Sequence, residues 1–108
     1  MTDREMLELA AKAAGIEHLG GEYCVSGSEL WDIDGKKWWK PLANDGDALR
    51  LAVQLNIDIE ISDCGADTWA FDNEGYIVVH VFESANHCKL SATRRAIVRA
   101  AAEIGAQM

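Results

Sequence analysis

Apolar residues recur at helical spacing near the start of the chain, at Met6, Leu7, Ala10, Ala13 and Ala14. Thr2 and Glu5 form a capping-box pattern ahead of them, and Gly15-Ile16 fits a left-handed stop. A helix is expected over residues 3–14. Short strands then follow at Glu22–Ser26, Glu29–Ile33 and Lys36–Lys40, the last two joined by the hairpin signal Asp34-Gly35. Pro41 cannot donate to a ladder, so the third strand ends there. Asn44 or Asp45 then caps a second helix, with Asp47 in its first turn. Ala48, Leu49, Leu51, Ala52, Val53 and Leu55 give that helix a broad apolar arc, leaving Arg50 and Gln54 as its polar side. This reading puts the stretch Trp38–Leu55 at the centre of the fold, with its helix packed on a sheet.

Beyond that helix the period changes to two. Ile57, Ile59 and Ile61 alternate with Asp58, Glu60 and Ser62, the pattern of a half-buried strand. Asp63-Cys64-Gly65 turns the chain into a weaker strand, Thr68–Asp72, and Asn73-Glu74-Gly75 turns it again. Tyr76–Glu83 is apolar on both faces, which predicts a central strand. After a polar loop, Ser91 caps a last helix with Ile97, Ala100, Ala101 and Ile104 inward, and Gly105 ends it. The expected order is α-β-β-β-α-β-β-β-α. The fold class is α+β, a single αβ sandwich domain over residues 1–108 with a mostly antiparallel sheet and three helices.

Composition narrows the functional classes. Apolar content of 49% with one proline argues against disorder, and no apolar run reaches the roughly 20 residues of a membrane span. The amphipathic, charged N-terminus is unlike a signal peptide, so no export is expected. Cys24, Cys64 and Cys88 are odd in number and scattered, as expected of reduced thiols. Net charge is −8, with seven acids and no lysine or arginine between residues 56 and 88. That balance disfavours direct nucleic-acid binding, which needs a basic footprint.

Few residues are arranged for chemistry. Asp45-Gly46-Asp47 resembles the start of a calcium loop, but no glutamate follows at the required spacing and a helix begins at once. His80, His87, Cys88, Cys64 and Cys24 show no C-x-x-C or H-x-x-x-H spacing, so no metal is expected. A Cys88–His87 nucleophile would lack an orienting third group, and no catalytic residue or cofactor is assigned. Trp31, Trp38, Trp39 and Trp69 are many tryptophans for this length. Core filling accounts for them simply, while Trp31, Trp38 and Trp39 on the hairpin are candidates for a binding surface. Trp38 and Trp39, being consecutive in a strand, point to opposite faces. Asp58, Glu60, Asp63, Asp67, Asp72 and Glu74 form an alternative, acidic face. Ser91, Arg94 and Arg95 form an alternative anion site at the last helix start.

Two segments, WWKPLANDGDALRLAVQL and ATRRAIVRAAAEIG, together with MTDREMLELAAKAAGIE at the start, resemble a group of small phage and prophage proteins. In that group a helix ending in A-G-I, a W-x-P-L-x-x-D-G-D-A-L-R-L-A core and an A-T-R-R-A-I-V-R-A-A-x-E-I-G helix recur. The resemblance covers nearly half the chain, and Trp38 precedes the usual aromatic at Trp39. It implies a phage or prophage origin and an αβ sandwich-like fold, but no activity and no catalytic residue. The function expected is therefore a non-enzymatic protein-binding module in the bacterial host cytoplasm, with a host or phage protein as partner. An acidic nucleic-acid mimic inhibiting a host DNA-binding or defence protein is the alternative, followed by a small-molecule binder or minor enzyme.

Overall fold

A computed structural model of the protein describes residues 2–16, 30–31, 38–86 and 88–108, with backbone alone at Leu30, Trp31 and Trp38. In chain order the elements are α1 (Asp3–Ala14), β1 (Leu30–Trp31), β2 (Trp38–Trp39), α2 (Asp45–Leu55), β3 (Asp58–Ser62), β4 (Gly65–Phe71), β5 (Ile77–Ser84) and α3 (Lys89–Ala106). β1 and β2 are a two-residue antiparallel pair, Leu30 opposite Trp39 and Trp31 opposite Trp38. The larger elements therefore run α-α-β-β-β-α rather than in the longer alternation expected. The anticipated strand Glu22–Ser26 and the Asp34-Gly35 turn fall outside the described residues.

The helix starts follow their local chemistry. Thr2 and Glu5 complete a reciprocal capping box, and Gly15 closes α1 in the left-handed region. Asn44 caps α2 by accepting from the Asp47 N–H. The Asp47 carboxylate reaches back to accept from the Lys40 N–H at 2.9 Å and from Arg50 at 2.6 Å, tying the chain before Pro41 to the helix. α3 begins earlier than its sequence implied. Cys88, not Ser91, is its cap, with Sγ accepting from the Ser91 N–H, so Ser91 lies in the first turn.

α3, not α2, is the organising element. Ala92, Ala96, Ile97, Val98, Ala100, Ala101, Ala102 and Gly105 are buried, and at 100° per residue these positions point all round the helix. α1, α2 and the sheet each pack against it. Small side chains make the close approaches feasible. At Gly105 a Cβ would overlap the carbonyl oxygen of Leu9 in α1. Gly105 is therefore no helix terminator: it lies inside α3, where backbone crosses backbone. On the sheet side, Thr68 is fully buried and its Oγ1 donates to the Ala96 carbonyl at 3.0 Å.

The sheet is antiparallel in the order β3-β4-β5. β4, the weaker strand of the sequence, is central, and the apolar run over β5 is an edge. β4 can lie under α3 because Ala66, Thr68 and Ala70 are small on that face. In β5 only Val79 and Val81 are buried, while Ile77, Val78 and Phe82 are exposed, as is Tyr76 just before the strand. α2 departs from expectation in the same way. Its contacts are mainly with α3 and also with α1, so Ala48, Leu51 and Ala52 are buried but Leu49 and Val53 face outwards.

Candidate functional site

The register of the sheet assembles the face opposite α3, which no described helix covers. Asp58 pairs with Trp69, which pairs with His80, and Glu60 pairs with Asp67, which pairs with Phe82. Side chains alternate across a strand, so these six residues share the side opposite α3. Trp69 stacks on the His80 imidazole, centroids 5.0 Å apart and planes 5° from parallel. His80 Nε2 also lies 2.9 Å from Asp67 Oδ1, so the ring is held between an indole and a carboxylate. A register shift at Ala70/Phe71 makes Val78 an extra residue in β5. Phe71, Ile77, Val78 and Phe82 are each more than 40% exposed. The result is an apolar and aromatic surface bordered by the acids of β3.

The six acids marked in the sequence do not act together. Asp58, Glu60 and Asp67 share the open face. Asp72 is structural: its Oδ1 accepts from the Glu74 and Tyr76 N–H groups and shapes the turn before β5. Glu74 lies in that turn, exposed. Asp63, in the turn before β4, accepts from Lys89 Nζ at 2.7 Å, and this bond with the ammonium charge holds its carboxyl below the usual range. The folded-state value is depressed, so the contact stabilises above the ordinary carboxylate range and is lost as pH falls through the lowered value. The pair is exposed, so the effect is small. Asp63→Asn should be slightly less stable than wild type in urea at neutral pH, and the difference should shrink as the pH falls through the lowered value.

The anion-site candidates are occupied by partners within the fold. Arg94 donates to the Leu42 carbonyl at 2.9 Å and to Asp45 at 2.6 Å. Arg95 pairs with Asp3 at 3.0 Å and Glu83 at 3.7 Å, and Arg99 also reaches Glu83. These arginines fasten α3 to the elements around it. Cys64 and Cys88 are free and exposed, whereas Cys24 and His87 are outside the described residues. Among the described residues no group of three or more His, Cys, Asp or Glu side chains is placed to hold a metal ion, and no helix is long and apolar enough to cross a membrane.

Of the hairpin tryptophans, Trp39 is buried in the core at 6% exposure. Trp31 and Trp38 pair in register, and their side chains lie outside the described part.

A second surface was hidden in the sequence. Between α2, β3 and α3 runs a groove of about 240 Å³, lined mainly by Ala48, Leu49, Ile59, Ile61, Leu90 and Ile97 and also by Asp45, Thr93 and Arg94. Leu49, Ile61 and Leu90 are 57%, 58% and 60% exposed. The sequence signal was the width of the apolar arc on α2, which exceeds what one packing stripe can bury.

Comparison with family models, with curated proteins and with solved structures gives no match.

Proposed function

We propose that this chain is a non-enzymatic protein-binding module, made by a phage or prophage and acting in the host cytoplasm. The resemblance of its first, central and last helical segments to small phage proteins supports the origin. The observation that carries the binding role is the sheet face opposite α3, where Phe71, Ile77, Val78 and Phe82 stand exposed beside Trp69. Contiguous exposed apolar side chains are costly in water, and aromatic residues concentrate binding energy at interfaces. The acids of β3 at its border favour a partner with basic residues around an apolar centre.

Phe82 and Phe71 are exposed, so Phe71→Ser and Phe82→Ser should leave the fold intact. Partners captured from host lysate by the wild type should be lost by these variants and retained at high salt. Retention by both variants would remove the face from consideration. A complex that dissolves as salt rises would favour the acidic-mimic reading, carried by charge alone.

A further inference from the structure

We propose that the free edge of β3 captures an extended segment of a partner protein in which apolar and basic residues alternate. This rests on the protein-binding reading and gives it a mode and a partner chemistry. The two edges of the sheet are treated differently. On β5, the carbonyls of Val78 and Phe82 accept from the side chains of Gln107 and Arg99, at 3.3 and 3.2 Å. That edge is blunted by α3. On β3, the two-residue turn at Asp63-Cys64 closes on the Ser62–Gly65 pair, so alternation directs the backbone groups of Ile59 and Ile61 away from β4. Among the described residues no strand pairs with this edge. Exposed edges of this kind are templates for strand addition.

The side chains about that edge specify what would be added. A strand laid beside β3 sends alternate residues to the two faces of the sheet. On the helix side they meet the groove among Leu49, Ile61 and Leu90, which is largely apolar. On the opposite side they meet Asp58 and Glu60, in a region without lysine or arginine from residue 56 to 88. Opposite charges on neighbouring strands attract, and like charges repel. The complementary segment is therefore apolar at one set of alternate positions and basic at the other. A second copy of this chain is a poor occupant, because β3 against β3 sets Asp58 and Glu60 beside their own counterparts.

The test uses three capped hexapeptides: alternating lysine and leucine, the same residues with lysines blocked together, and alternating glutamate and leucine. Each is titrated into the full chain and followed by amide NMR and calorimetry. The alternating basic peptide should bind, shift the Ile59 and Ile61 amides and slow their hydrogen exchange. The other two should bind at least about tenfold more weakly, and Leu49→Lys should weaken the first peptide by a similar factor. No binding by the basic peptide, equal binding of all three, or shifts confined to Trp69 and Phe82 would overturn the proposal. So would self-association that Leu49→Lys abolishes, since the occupant would then be a second copy. A lysate partner lost by Phe82→Ser but kept by Leu49→Lys would sink the edge proposal and leave the binding-module reading standing.

Discussion

Gly105→Val should lower stability by about 3 kcal/mol, the upper part of the range for overpacking a close contact. Helix propensity alone points the other way, since a non-glycine residue inside a helix gains up to about 1 kcal/mol over glycine. The crossing decides the sign. Any Cβ at this position overlaps the Leu9 carbonyl, which is backbone and cannot rotate aside. α1 would have to slide, and its seat holds Met6, Leu7, Ala10 and Ala11, all buried against the core. Urea unfolding reads the effect directly. Gly105→Ala should also lose stability, by less; a gain in either variant would show that the two helices are not locked together.

Leu51 and Leu49, two residues apart on α2, should respond in opposite ways to truncation. Leu51 is 2% exposed, and Leu51→Ala should cost about 2–5 kcal/mol through lost burial and the cavity left behind. Leu49 lies on the open wall of the groove at 57% exposure, and Leu49→Ala should stay within about 0.5 kcal/mol of wild type. Denaturation of the pair at matched conditions checks both. Equal losses would mean that something buries the outer side of α2. A negligible loss at Leu51 would mean that α2 is not seated on α3.

Local rules made the helices legible. The Thr2–Glu5 box, the Gly15 stop and the Asn44 cap depend on residues within one turn, and each forms as its chemistry dictates. The alternation of β3 was legible for the same reason. The rank order of the elements was not. Tyr76–Glu83 carries the strongest β-forming side chains, yet β5 is an edge, because position in a sheet depends on what lies over it. The strand beneath α3 must be thin, and Ala66, Thr68 and Ala70 meet that need. The same logic hid the organising role of α3, though not the helix itself: its alanines have little hydrophobic signal singly, but they admit three sets of neighbours at close range. The open sheet face escaped detection because Trp69 of β4 meets His80 and Phe82 of β5 only through register. Of the acidic candidates, Asp58, Glu60 and Asp67 share one face, two of them because they lie on one alternating strand.

The place of α3 in the chain has a consequence for biosynthesis. A ribosome makes α1, α2 and all three sheet strands before the helix against which they bury. Until Lys89–Ala106 emerges, the nascent chain has the pieces of a fold and no common core. Its final docking joins residues about ninety positions apart, as in the Arg95–Asp3 pair, a long-range closure of the kind that slows folding. During that wait β3, β4 and β5 are the segments most exposed to pairing with strangers. They are also the stretch with seven acids and no lysine or arginine. Like charges on neighbouring strands repel, so this acidity disfavours pairing between copies of the segment.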